Sequence, residues 1–371
     1  MPNLPAIRPS KKSMLLLSHL LLSPNSWRTS SPRMTGLLES QIANISREDF
    51  QELVALASSN HVVVRGLEAF LDMVRTAEAA SRAAWAETAL AVERARIQNA
   101  LPFLHAICAA FEVAGSDITV IKSLDHWPDL GSDLDLYTNA DSVSVLDLMK
   151  KRFQAQVAHR SWGDRLAHKW NFLIPGLPEA VEIHVGRLGQ TGEQVALAAS
   201  LAARARSVQI DGRSFRVPAI SDRLMISTLQ RMYRHFYFRL CDIVDSAGLV
   251  ESGAVDYKDL QRSADEAGIW EGVATYLLIV SDYVKQHRGW GLDLPPAVRA
   301  AARFGGDEVY YAREFLRIPI LPQSASLYGS QLTGLLRRWE LQNSARLGLL
   351  PWLATAAAVG QKITGSDKGI W

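Results

Sequence analysis

Cysteine is scarce in this sequence. Its 371 residues include two, Cys108 and Cys241, far apart in stretches with the apolar spacing of helices. Two buried thiols in a reducing compartment are expected, rather than a bridge or a metal site. An excess of one charge is also missing. Forty Lys and Arg against 38 Asp and Glu leave a net charge of +2, which gives no field suited to long nucleic acid or a membrane surface. Long hydrophobic runs are absent too. Residues 14–22 are apolar and follow Arg8, Lys11 and Lys12, but they are short for a signal peptide and no small-residue cleavage pattern follows between Pro24 and Pro32. Residues 347–359 are apolar, interrupted by Pro351, and too short to span a bilayer. These absences lead to the expectation of a cytoplasmic protein with no membrane partner. No internal repeat is visible.

What is present divides the chain into zones. Residues 1–45 read as an extension, disordered or mis-assigned, with Met34 as an alternative start. Residues 46–114 have helical spacing and are rich in Ala, with Ser46 ahead of Glu48 and Asp49 as a helix start. Residues 115–217 mix strand and helix signals. Residues 118–121 and 134–137 are short β-favouring runs, and residues 141–153 form an amphipathic helix capped by Asp141 or Ser142. Residues 170–174 and 180–185 flank Pro175-Gly176-Leu177-Pro178 and predict a hairpin. Helical spacing returns over 218–318: residues 221–249 as one helix or a pair, residues 256–286 as two, and a helix opened by Pro295 and Pro296 running to Phe304. Residues 319–371 form a helical tail.

The chemistry is concentrated in the mixed zone. Asp133-Leu134-Asp135-Leu136 places two carboxylates at i and i+2 of a strand, hence on one face. Such a pair suits Mg²⁺ or Mn²⁺, hard cations that complete their shell with water and phosphate oxygens. Gly131-Ser132 supplies a tight entry to the strand. Glu182, in Val181-Glu182-Ile183-His184-Val185, is the candidate third carboxylate, either binding a second metal ion or taking a proton, and it shares a face with His184. His184 is expected to be a hydrogen-bonded structural residue. The run Arg231, Tyr233, Arg234, His235, Tyr237, Arg239 reads either as a phosphate-closing surface or as the solvated stripe of a helix. Asp245 is expected to pair with Arg239. Asp125 and Asp129 read as turn acids, and Trp127, Trp162 and Trp170 as packing residues.

In these motifs the chain resembles the nucleotidyltransferases related to DNA polymerase β, and among them a bacterial family with Leu-Lys-Gly, Asp-Ile-Asp-Leu and acidic-hydrophobic-His motifs. The matching residues are Ile121-Lys122-Ser123, Asp133-Leu134-Asp135-Leu136 and Glu182-Ile183-His184, and the likeness covers roughly residues 88–298. It implies an α+β fold: a small mixed-sheet palm with N-terminal helices and a C-terminal helical bundle across a cleft. It also implies transfer of a nucleoside monophosphate from a nucleoside triphosphate to an acceptor that is a small molecule, a protein or an RNA end. Catalytic and metal-binding roles are expected of Asp133, Asp135 and Glu182, with nucleotide binding by Lys122, Ser123 and Ser132. The chain departs from the pattern at the phosphate turn, where Lys122-Ser123 stands in place of a glycine followed by serine or glycine. The spacer before Asp133 is also shorter than that family's usual one. A palm that binds a nucleotide or a protein without catalysis is the alternative.

Overall fold

The computed structural model describes residues 10–22, 32–76, 79–312 and 314–352. The N-terminal helices are α1 (Lys11–Leu22), α2 (Pro32–Ala43), α3 (Arg47–Ser59), α4 (Val63–Thr76) and α5 (Ala80–Val113). The mixed region follows as β1 (Ile118–Val120), β2 (Asp133–Thr138), α6 (Ser142–Phe153), β3 (Gln156–Val157), α7 (Trp162–Leu166), β4 (Lys169–Leu173) and β5 (Ala180–Val185). Next come α8 (Val195–Arg204) and a hairpin of β6 (Arg206–Ile210) and β7 (Arg213–Val217). The remainder comprises α9 (Ile220–Thr228), β8 (Tyr237–Phe238), α10 (Leu240–Glu251), α11 (Tyr257–Ala267), α12 (Trp270–Arg288), α13 (Pro296–Ala301), β9 (Tyr310–Ala312), β10 (Phe315–Arg317), α14 (Ala325–Arg337) and α15 (Leu341–Gly348). The fold is mixed α+β, mostly helical, around a small mixed sheet. Among the described residues no helix is long and apolar enough to cross a membrane.

The central sheet has the order β1-β2-β5-β4-β3. β2 and β5 run parallel, which requires a crossover, and α6 supplies it. Asp141 caps α6 by accepting from the amides of Val143 and Ser144, and Gln154 closes it in a left-handed conformation. The predicted hairpin is present, with β4 antiparallel to β5. Leu134, Leu136, Val181 and Ile183 are fully buried. The buried side chains of the N-terminal helices, the sheet and the helices α9 to α13 form one continuous core, and Leu335, Leu347 and Leu350 form a small separate cluster.

Three segments differ from the sequence expectations. Within residues 1–45, α1 is no loose extension: Met14, Leu17 and Leu20 are buried, and the Ser18 hydroxyl is 2.7 Å from that of Tyr283 on α12. The three apolar positions share one helix face, and α1 packs against α3, α4 and α12. Residues 221–249 are neither one helix nor a simple pair. After α9 the chain passes through a π-helical turn, Leu229–His235, and Phe236 adopts φ 56°. Tyr237 and Phe238 then pair with β10, and Tyr237 stacks on Phe315 at 4.3 Å. Strand pairing with a distant segment overrides the local helical spacing there. The helix after Pro295 ends at Ala301 rather than at Phe304. Residues 353–359 of the apolar C-terminal stretch lie outside the described residues.

Candidate active site

The parallel pairing of β2 with β5 sets Asp135 directly beside Glu182 and Asp133 beside Ala180. Both carboxylates of the Asp135–Glu182 pair are buried. One ligand atom each from Asp135, Glu182 and His184 falls within 4.8 Å of the others. His184 Nε2 lies 2.9 Å from Glu182 Oε1 and 3.9 Å from Asp135 Oδ1. Two ammonium groups complete the cluster. Lys122 is ion-paired with Asp135 and lies 3.7 Å from Glu182, whereas Lys169 lies 2.7 Å from Glu182 and 3.4 Å from Asp164.

These surroundings split the two acids. Burial pushes the Asp135 carboxyl well above the usual aspartate range; Lys122 opposes this, and the nearby Asp133 and Glu182 charges add to it. Burial would raise Glu182 too, but Lys169, Lys122 and the His184 hydrogen bond outweigh it and hold that carboxyl well below its ordinary range. Glu182 is therefore the fixed anion of the pair. Burial lowers His184 to about 4, so its imidazole is neutral at pH 7.

The turn between β1 and β2 has an unusual centre. Lys122 has φ 61° and ψ −55°, and the Ser123 amide donates to the Ile121 carbonyl at 2.6 Å. This is a γ-turn with positive φ, a conformation that strains any residue bearing a Cβ. It stands where the resemblance expects glycine, so the turn keeps a glycine-like backbone while carrying a long cation. Ser123 is consumed inside the fold: its hydroxyl accepts from the Asp135 amide at 2.7 Å and donates to the Asp133 carbonyl at 3.2 Å. From α5, Arg96 donates to the carbonyls of Leu130 and Gly131 and to Glu179, which fixes the entry to β2.

Asp135, Glu182, Lys122 and Lys169 form the floor of a cleft of about 260 Å³, which also exposes Ser132, Asp133 and Asn171. The opposite wall comes from the broken helical segment after α9: Gln230, Arg231, Arg234, His235, Tyr237 and Arg239. Arg231 is buried and committed to Asp242 at 2.7 Å. Arg234 and Arg239 have no carboxylate partner among the described residues, although Arg239 approaches His61 Nδ1 at 3.4 Å. An acidic floor therefore faces a wall with two guanidinium groups free of carboxylates.

The expected site residues take these partners. Lys122, expected on a phosphate, is ion-paired with Asp135, and the Ser123 hydroxyl, also expected there, braces β2. Ser132 donates to Asp133 Oδ1 at 3.0 Å at the mouth of the cleft. Asp133 is not part of the converging group; His184 takes that place beside Asp135 and Glu182, because Asp133 begins β2 and is less enclosed. Asp245 pairs with Arg65 and His126, each at 2.5 Å, rather than with Arg239. Asp125 pairs with Arg223, and Asp129 with Arg65. Trp127 and Trp162 are exposed, and the Arg160 guanidinium sits 3.7 Å above the Trp170 ring. The sequence reading missed Lys169 and Arg96. Lys169 was within reach: in a hairpin with β5, Lys169 and Asn171 alternate on the face of His184 and Glu182, their register partners. Arg96 sits in a long Ala-rich helix with no local signal.

The chain matches no protein-family model and no curated protein.

Proposed function

We propose that this chain is a metal-dependent nucleotidyltransferase, with the sheet β1-β2-β5-β4-β3 as its palm and the cleft as its nucleotide site. The observation that carries this reading is the pairing of in-register acids, Asp135 and Glu182, with a facing wall that holds Arg234 and Arg239. Carboxylate oxygens suit a hard divalent cation, and the Lys122 ammonium between them marks a pocket built for positive charge. Asp135 and Glu182, with Asp133 at the mouth, would hold Mg²⁺ or Mn²⁺. When bound, such an ion supplies neutralisation of charge developing on phosphate oxygens.

The chain's own groups supply the rest. Arg234 and Arg239 bind the triphosphate from the opposite wall. Lys122, which contacts the two acids, would also reach a bound phosphate. Glu182, held anionic by Lys169, is suited to binding a cation and poorly suited to accepting the acceptor's proton. The acceptor oxygen would attack the α-phosphorus in line as its proton passes to solvent, the bond to the β-phosphate oxygen would break, and pyrophosphate would leave. The acceptor, a small molecule, a protein or an RNA end, is set by chemistry beyond the cleft floor.

A second reading has one observation in its favour: the Lys122 ammonium already occupies the cation position. On that reading the cleft binds a nucleotide without transferring it. Calorimetric titration with each nucleoside triphosphate, with and without Mg²⁺, separates the two on wild type and on an Asp135→Asn, Glu182→Gln double variant. Binding that requires Mg²⁺ and disappears in the double variant supports transferase chemistry. Binding indifferent to Mg²⁺ and to those substitutions supports the second reading, and no binding at all removes both.

A further inference from the structure

Beside the acidic cluster lies a second convergence of metal-ligating atoms, assembled from three remote parts of the chain. His61 comes from the turn between α3 and α4, His126 from the 3₁₀ turn between β1 and β2, and Cys241 from the first turn of α10. One ligand atom from each falls within 4.8 Å of the others. Cys241 Sγ lies 3.8 Å from His126 Nε2. A tetrahedral zinc ion with Zn–S of about 2.3 Å and Zn–N of about 2.1 Å places sulfur and nitrogen about 3.6 Å apart. The observed separation is near that value; it is also a direct hydrogen bond between thiol and imidazole, which metal loading would replace.

The surroundings of His126 strengthen the case. Its Nδ1 is held 2.5 Å from Asp245 Oδ2, which turns Nε2 toward Cys241. A carboxylate on the far nitrogen is the arrangement that orients histidines in zinc sites. Asp245 is in turn held by Arg65, which also grips Asp129 and so ties α4 to the β1–β2 spacer. With a Cys241 thiolate, the carboxylates of Asp245, Asp129 and Asp242 and the guanidiniums of Arg65, Arg231 and Arg239 surround the three ligand atoms. The Arg239 contact to His61 Nδ1 is another that metal loading would have to loosen.

From this geometry we infer that His61, His126 and Cys241 form a zinc site on the wall of the cleft, separate from the acidic cluster. His61 and His126 also line the cleft, so a fourth ligand would be an oxygen from that side. A Cys–His–Asp nucleophile is the competing use of the same atoms. Cys241 is fully buried and is not among the cleft-lining residues, which leaves no approach for an electrophile. The two imidazoles also share an edge-on contact with ring centres 5.7 Å apart, whereas a nucleophile needs only one of them.

The test uses the full chain, dialysed metal-free and then titrated with cobalt(II) as a zinc probe. Wild type should develop a thiolate-to-cobalt charge-transfer band and tetrahedral d–d bands, and should retain stoichiometric zinc after dialysis when loaded with that metal. Cys241→Ser should lose the charge-transfer band, and His61→Gln should weaken binding while keeping it. Asp245→Asn should cost roughly 10–100-fold in affinity with the band intact. The Asp135→Asn, Glu182→Gln variant should bind cobalt at this site as wild type does, which keeps the outcome independent of the proposed transferase reaction. Wild type with no thiolate band, or a band that survives Cys241→Ser, would overturn the assignment. So would zinc retention that disappears only with the acidic variant.

Discussion

Lys122 holds Asp135 in an ion pair from a backbone conformation, φ 61°, that disfavours every residue except glycine. Strain and charge pairing therefore oppose each other at one position. Lys122→Gly would release turn strain of about 1–3 kcal/mol while removing the partner of a buried carboxylate, a loss of about 3–5 kcal/mol. The net expectation is a destabilised protein, by roughly 2 kcal/mol on those figures, with Lys122→Ala worse than Lys122→Gly. Denaturant unfolding of the three proteins tests this. Added Mg²⁺ should restore more stability to the variants than to wild type, since it replaces the lost cation. A glycine variant more stable than wild type would mean that the turn strain outweighs the ion pair.

Arg231 is among the largest fully buried side chains, and its partner is Asp242 at 2.7 Å. Asp242 also accepts from the Arg239 amide at the start of α10, so one carboxylate secures both the cleft wall and a helix. Arg231→Met should cost about 3–5 kcal/mol, because it strands a buried anion. The double variant Arg231→Met, Asp242→Asn should lose less than the sum of its parts, which unfolding measured as a double-mutant cycle would reveal. Strict additivity would count against the pair.

Leu17 of α1 is 1% exposed and would meet a Cβ added at Gly66 of α4 at 2.9 Å. Leu17→Ala should lower stability by about 2–5 kcal/mol, and Gly66→Ala should also destabilise, through overpacking. A loss within about 0.5 kcal/mol for Leu17→Ala, the size typical of a surface site, would show that α1 does not belong to the core.

Burial, with a further contribution from the nearby His19, lowers His287 of α12 to about 4 from an ordinary 6.5. Its ring faces His19 at 4.7 Å and Tyr283 at 4.6 Å. The unfolded chain binds this proton more readily than the folded one. The stability contribution is thus complete above pH 6.5 and lost as pH falls toward 4. The loss is at most about 3 kcal/mol. Unfolding of wild type and His287→Gln across that window should give curves that converge as the pH drops. Parallel curves would remove His287 as a source of acid sensitivity.

Legibility in the sequence followed the range of the interactions. The period-2 alternation around Asp133-Leu134-Asp135 and Glu182-Ile183-His184, and the Pro-Gly turn between β4 and β5, are local signals, and each was readable without neighbours. The cap at Asp141 and the two helices after Asp256 were readable for the same reason. The burial of α1 and the strand that interrupts residues 221–249 were not, since both rest on partners far along the chain, Tyr283 in one case and β10 in the other.

Composition and spacing alone thus established a mixed α+β chain with two acidic strands, because side-chain alternation and turn chemistry are properties of short segments. Which charges meet is a different matter. The pairing of Lys122 with Asp135, of Lys169 with Glu182, and of Asp245 with His126 rather than Arg239 depends on sheet register and helix packing. Ion pairs form between whatever the folded chain brings within a few ångströms, and no spacing along the sequence encodes that distance.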